Sequence, residues 1–160
     1  QAVQPGLNES ARAKNQVETH KMISKALLAR PDVYGAVQHY EKALNLLRRP
    51  LGAGHDVLMD LEHRIARLLG PCLEQILSLA REKETQREYE KAQSLLEEVL
   101  RLACTYGNLA GDLSCDVLLH KGTALMKLER KDEAVKVYEE LLARQAVQPG
   151  LNESARAKNQ

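Results

Sequence analysis

Apolar residues recur every three or four positions along most of this chain, which is the spacing of one face of an α-helix. In one stretch the stripe is formed by Val33, Val37, Tyr40, Leu44 and Leu47. Prolines, glycines and runs of charge interrupt the pattern and divide it into segments. The pattern predicts seven helices, at about 9–29, 33–48, 56–69, 72–85, 88–105, 114–128 and 131–144.

The predicted boundaries follow from local chemistry. Asn8 is a candidate N-cap for the first helix, and Asp32 for the second. Pro31 ends the first helix, because the residue before a proline avoids the α region. Gly70-Pro71 either stops the third helix or kinks it, so residues 56–69 and 72–85 form two helices or one long kinked helix.

Composition supports a helical protein. Hydrophobic residues make up 44% of the 160 positions and charged residues 28%, while Phe and Trp do not occur. Strands favour β-branched and aromatic residues, whereas the strong helix formers Leu, Ala, Glu, Lys, Arg and Gln dominate here. We therefore predict an all-α fold.

The charge balance narrows the classes of partner. Lys and Arg number 23 against 22 Asp and Glu, so net charge gives no reason to expect nucleic-acid binding. No run of 18 apolar residues occurs, and we expect no membrane insertion. The first residues show no basic start and no apolar core of a secretory signal. We expect an intracellular, cytoplasmic location, with the nucleus as the alternative.

The two ends of the chain have the same sequence. Residues 145–160 are an identical copy of residues 1–16, QAVQPGLNESARAKNQ. Natural repeats keep core positions and let surface positions drift, yet here the polar positions match as well. The identity favours an engineered overlap or a permuted order over a recent duplication. With either origin, the two identical segments can occupy the same docking site, as in segment exchange between chains. We expect residues 151–160 to be helical and to lie against residues 131–144 of the same or another copy.

Three of the predicted helices share a pattern of small, large and medium residues at i, i+4 and i+7, which lie along one helix face. The small residue allows a neighbouring helix to approach closely, and the large one fills the gap beside it. The nine positions are Ala36, Tyr40 and Ala43, then Ala92, Leu96 and Val99, then Ala134, Tyr138 and Leu141.

With this pattern the chain resembles the tetratricopeptide repeat family, in which a helix–turn–helix of 34 residues recurs. The best match spans Asp116 to Arg144, and Gly122 there takes the small position of the first helix. The resemblance implies one domain over 1–160, stacked as a right-handed superhelix of antiparallel helix pairs. Its repeat-like units are about 17–50, 73–106 and 115–148, and the helix at about 56–69 is an extra one. An irregular seven-helix bundle is the alternative.

The sequence offers no chemistry typical of an enzyme. It contains no nucleophile elbow, phosphate-binding loop or zinc-protease motif. His55 and His63 are eight residues apart, too far for a metal-binding pair on one helix. Cys72, Cys104 and Cys115 are odd in number and lack CxxC spacing, so we expect buried, reduced thiols. We therefore predict no catalytic residues, no metal and no cofactor.

Protein binding is the function that the resemblance implies. The first helices of stacked pairs line a concave groove, which suits an acidic or amphipathic helix or peptide of a partner. The alternative is a self-assembly module, in which residues 145–160 and the helix at 131–144 contact another copy. The groove positions that we predict are Lys21, Lys25, Glu74, Ser78, Arg81, His120 and Lys127.

Overall fold

The computed structural model describes residues 5–51, 56–109 and 114–147, with side chains described in 11–48, 56–109 and 115–147. These residues form helices and no strand, which confirms the all-α prediction. The helices are α1 (Pro5–Ala29), α2 (Val33–Leu51), α3 (Asp56–Thr85), α4 (Tyr89–Tyr106), α5 (Ser114–Lys127) and α6 (Lys131–Ala146), with a short 3₁₀ turn at Gly107–Leu109. Residues 151–160 lie outside the described residues, so our expectation for them stays a prediction.

The chain divides into two compact units, Gln1–Cys72 and Leu73–Gln160, and the division falls within α3. In the first unit α1 packs against α2, and in the second α5 packs against both α4 and α6. Each unit has its own set of fully buried apolar side chains. Those of the first include Val37, Leu44, Leu61, Ile65 and Leu69, and those of the second include Leu73, Ile76, Val99, Leu102 and Leu125.

The helix at 56–69 is not a separate extra helix, because α3 continues from Asp56 to Thr85 with Pro71 inside it. A proline within a helix removes one backbone hydrogen bond and usually kinks or breaks the helix. Here Leu69, Cys72, Leu73 and Ile76 are all fully buried on either side of the proline, and Pro71 itself is exposed. Burial of this continuous apolar face outweighs the lost bond. The described residues therefore contain six α-helices instead of the predicted seven.

The turns that join α1 to α2, α3 to α4 and α5 to α6 have the same hydrogen bond. In each turn a backbone N–H bonds to the carbonyl oxygen five residues earlier at 2.9 Å, the bond that closes a Schellman motif. These bonds run from Asp32 to Leu27, from Glu88 to Lys83 and from Arg130 to Leu125. The residue that donates in each turn also accepts the first hydrogen bond of the next helix, from Ala36, Ala92 and Ala134 respectively.

These shared bonds set a common register for three helix pairs. Twelve residues before Ala36, Ala92 and Ala134 lie Ser24, Ala80 and Gly122, and all six residues are buried. The Ser24 hydroxyl donates to the Ala36 carbonyl at 2.9 Å, so the first small residue of the pair lies directly against the second. Lys83, which interrupts the apolar pattern in the sequence, takes the place of Leu27 and Leu125.

Two predicted N-caps have different outcomes. The Gly35 N–H donates to the Asp32 carboxylate at 3.0 Å, so Asp32 caps α2 as predicted. Asn8 does not cap α1, because the helix already begins at Pro5. A proline suits the first position of a helix, where its missing N–H would have no partner within the helix.

Candidate functional site

The faces of α1, α3 and α5 that we predicted to line the groove differ from one another in their charges. On α1, Lys21 is partly buried and its Nζ lies 3.5 Å from the Glu18 carboxylate, whereas Lys25 is exposed. Glu18 offsets the charge of Lys21. Lys25 is therefore the more available cation of the two.

On α3 the predicted groove residues are Glu74, Ser78 and Arg81, and all three are exposed. Their spacing of four and three residues places them on one face of the helix. On α5 the side chain of His120 is only 15% exposed, with its Nε2 3.3 Å from the Asp116 carboxylate.

The remaining predicted position, Lys127, lies at the last residue of α5 and is partly exposed. Lys21 and Lys25 belong to the first unit, and the other five predicted residues belong to the second. Among the seven residues, four are cations and one is an anion. Within each unit, the predicted positions include more cations than anions.

A pocket in the second unit was not predicted from the sequence. It has a volume of about 220 Å³ and lies between the end of α4, the 3₁₀ turn, the start of α5 and the end of α6. Apolar side chains and polar groups share its wall. The residues that line it are Ala103, Cys104, Gly107, Asn108, Val117, Leu118, Lys121, Glu140 and Arg144.

The pocket carries an excess of positive charge. The Arg144 guanidinium donates to the Glu140 carboxylate at 3.0 Å, which neutralises both groups. Within the part of the chain that the structure describes, Lys121 has no such partner. An anionic group that entered the pocket would therefore pair with Lys121.

Lys121 could have been found in the sequence once the register was known. It directly precedes Gly122, and the residues at the same place in the other two pairs are Ile23 and Leu79. Because the other two pairs have an apolar residue at this place, a lysine here indicates a role other than packing. Without the turn hydrogen bonds, the register of the α3–α4 pair was not available from the sequence.

The pocket also corrects our expectation about the cysteines. Cys72 is buried and Cys115 partly buried, but Cys104 is exposed and lines the pocket. The apolar stripe of α4 runs through Leu102, Ala103 and Tyr106, and Cys104 lies on another face of the helix. None of the three cysteines takes part in a disulfide.

A pair of histidines joins the two helices of the first unit. Nδ1 of His20 on α1 lies 2.9 Å from Nδ1 of His39 on α2, and the ring centres are 5.2 Å apart. Burial lowers the pKa of His20 below its ordinary value of 6.5, and the nearby His39 and Lys42 lower it further. The pKa of His39 is lowered by burial and by Lys42. At least one ring must be neutral, because one Nδ1 donates and the other accepts.

Two further observations concern metal binding and membrane-spanning helices among the described residues. No three His, Cys, Asp or Glu side chains among them are grouped so that they could hold a metal ion. None of the helices within the described ranges combines the length and the apolar character needed to cross a membrane.

The family comparison agrees with the geometry of the last helix pair. Residues 116–147, which include most of α5 and all of α6, match the family model of the tetratricopeptide repeat. Over these residues the chain is similar to a tetratricopeptide repeat. No curated protein and no solved structure matches it. The α1–α2 and α3–α4 turns have the same backbone hydrogen bonds as the turn of the matched pair.

The residues that typify the tetratricopeptide-like pattern pack as close neighbours. Tyr138 lies against Gly122, where a Cβ atom would come within 2.5 Å of the tyrosine ring. Tyr138 is partly buried, while the other second-helix positions are buried: Ala36, Tyr40, Ala43, Ala92, Leu96, Val99, Ala134 and Leu141. Tetratricopeptide repeats are generally non-catalytic modules for protein–protein interaction.

Proposed function

We propose that this protein is a non-catalytic interaction module that binds an acidic helix or extended segment of a partner protein. The observation that carries the proposal is the pocket of about 220 Å³ beside Lys121. Lys121 is partly buried, and a carboxylate that reaches it can accept a charge-assisted hydrogen bond from its ammonium group. The apolar wall formed by Val117 and Leu118 would hold an apolar side chain next to that carboxylate.

The basic side chains of the first helices support the same partner chemistry. Lys25 and Arg81 are exposed, and Lys127 is partly exposed. First helices line the concave face in tetratricopeptide repeats, and we infer that Lys25 lies on this face within the first unit and that Arg81 and Lys127 lie on it within the second. Such charges increase the rate of association with an acidic partner and discriminate against a basic one. The pocket then supplies the fixed contact of the complex.

The test uses a fluorescein-labelled amphipathic peptide with glutamates on one face and leucines on the other. Its matched peptide has lysine in place of every glutamate. Fluorescence anisotropy of the full chain should show binding of the acidic peptide and far weaker binding of the basic one. Lys121→Glu should weaken binding of the acidic peptide about tenfold or more, which is about 1.4 kcal/mol.

The control is Lys136→Glu, which makes the same charge change at an exposed position of α6 outside the pocket. It should leave the affinity nearly unchanged. Equal affinity for the two peptides would contradict the proposed partner chemistry. An equal loss in the two variants would show that only overall charge matters and that the pocket is not the binding site.

A further inference from the structure

Three charged side chains line the pocket of the second unit, and two of them belong to the same helix. Lys121 lies on α5, whereas Glu140 and Arg144 lie four residues apart on α6. Residues four apart share one face of a helix, so both α6 side chains reach the same wall of the pocket. The lining of the pocket therefore contains two cations and one carboxylate.

The carboxylate of Glu140 engages the guanidinium of Arg144. Nη2 of Arg144 donates to Oε1 of Glu140 at 3.0 Å, and the two side chains are 41% and 51% exposed respectively. A pair this exposed contributes little to stability, so Glu140 can be replaced without loss of the fold. Its effect on the pocket is larger, because it occupies a donor of Arg144 and leaves a negative charge in the wall.

The ammonium group of Lys121 suits one class of anion better than another. An ionised carboxylate has a single negative charge. A phosphorylated serine has a charge of about −1.5 to −2 at neutral pH and three acceptor oxygens, and phosphate groups are often bound by the two-pronged guanidinium of arginine. One ammonium group offsets the charge of a carboxylate, whereas the second charge of a phosphate group would stay uncompensated beside Glu140.

Dehydration increases the difference between the two anions. A doubly charged group loses more hydration than a singly charged one when it enters a partly enclosed site, and only ion pairs or hydrogen bonds offset that loss. The amide of Asn108 can donate a hydrogen bond but has no charge. Among the described residues that line the pocket, a phosphate group would therefore find one unpaired cation, Lys121.

We propose that the pocket binds a carboxylate side chain of a partner in preference to a phosphorylated one, and that Glu140 sets this preference. This preference rests on the proposed function, since it concerns the same pocket. Glu140 acts in two ways: it engages Arg144, and it repels the second charge of a phosphate group. Removal of its charge would make Lys121 and Arg144 both available to an anion, an arrangement that favours phosphate.

The test uses three amphipathic peptides with leucines on one face and a single variable residue, which is glutamate, phosphoserine or glutamine. Every other polar residue of the peptides is uncharged. Fluorescence anisotropy measures the affinity of the full chain for each peptide at neutral pH and low ionic strength, because salt screens exposed charges. The unaltered chain should bind the glutamate peptide about threefold or more tightly than either of the other two.

Variants of α6 test the role of Glu140. Glu140→Gln should raise the affinity for the phosphoserine peptide about threefold or more relative to the glutamate peptide, because the more highly charged anion gains more from the loss of a nearby negative charge. Glu140→Gln combined with Arg144→Gln leaves one cation in the lining and should abolish that gain. The control is Glu139→Gln, which removes an exposed carboxylate of α6 outside the lining and should leave the order of affinities unchanged.

The three peptides separate a failure of this preference from a failure of the proposed function. If none of them binds the unaltered chain, or if the glutamate and glutamine peptides bind equally, the proposed function is wrong and the preference with it. If the glutamate peptide binds more tightly than the glutamine peptide but the phosphoserine peptide binds at least as tightly, only the preference is wrong. An equal change of both anionic peptides in Glu140→Gln would show that Glu140 does not set the preference.

Discussion

At the scale of single residues, the smallest side chains set the distance between the helices of a pair. Ser24, Ala80 and Gly122 take the same place in the three first helices, and each is buried. At Gly122 the Tyr138 ring occupies the space that a Cβ atom would fill. A side chain at this position competes directly with the aromatic ring of the second helix.

Replacement of Gly122 by alanine tests this contact. Alanine improves helix propensity by up to about 1 kcal/mol over glycine, but overpacking against Tyr138 costs about 1–3 kcal/mol. We therefore expect Gly122→Ala to lower the free energy of unfolding, measured by urea denaturation. In a Tyr138→Ala background the clash is absent, and the same change should raise it. An effect of the same sign in both backgrounds would contradict the contact.

The sequence identified some of these residues and missed others for a physical reason. Gly122 and Tyr138 were found because the motif is local and its spacing can be counted. Ala80 and Lys121 were missed because their meaning depends on a register that only the turn hydrogen bonds establish. Exposure of Cys104 depends on which face of α4 is covered, and that is a tertiary property.

At the scale of helices, the apolar period gave the helix ranges and Asp32 gave one boundary. Of the two possibilities left open at Gly70-Pro71, a helix end or one long helix, the structure has the long helix, because side chains on both sides of the proline are buried on one continuous face of α3. The low helix propensity of proline favours a helix end at this point. Burial of the neighbouring side chains depends on tertiary packing, which the local sequence does not show. Helix existence was therefore predictable here, and the continuity of α3 was not.

The α1–α2 pair has a pH-sensitive contact through His20 and His39. Both pKa values are lowered in the folded state, so the unfolded chain binds more protons as the pH falls below about 6.5. The contribution of this pair to stability is complete above that pH and decreases below it. We expect the melting temperature of the unaltered chain to fall as the pH goes from 7.5 towards 5, as measured by circular dichroism.

His20→Gln should make that fall smaller, because glutamine can still hydrogen-bond to His39 but does not titrate. His63→Gln removes an exposed histidine of α3 and serves as the matched control. Its pH dependence should follow that of the unaltered chain. Identical pH dependence in all three proteins would rule out the histidine pair as the source.

At the scale of the whole molecule, three helix pairs have the same turn. The family match covers the last pair, residues 116–147, and we propose that the protein is an interaction module. The positions that we predicted for the groove from the helical period stay a prediction. The pocket could not be predicted from the sequence, because three separate segments of the second unit, within 103–108, 117–121 and 140–144, form its wall.

We propose that an acidic partner segment binds at the pocket, and NMR chemical-shift mapping locates its contacts residue by residue. The acidic amphipathic peptide is titrated into the ¹⁵N-labelled full chain. We predict that the largest amide shifts occur at Gly107, Asn108, Lys121 and Arg144, which surround the pocket. Shifts confined to residues away from the pocket, or no shifts at saturating peptide, would contradict the claim.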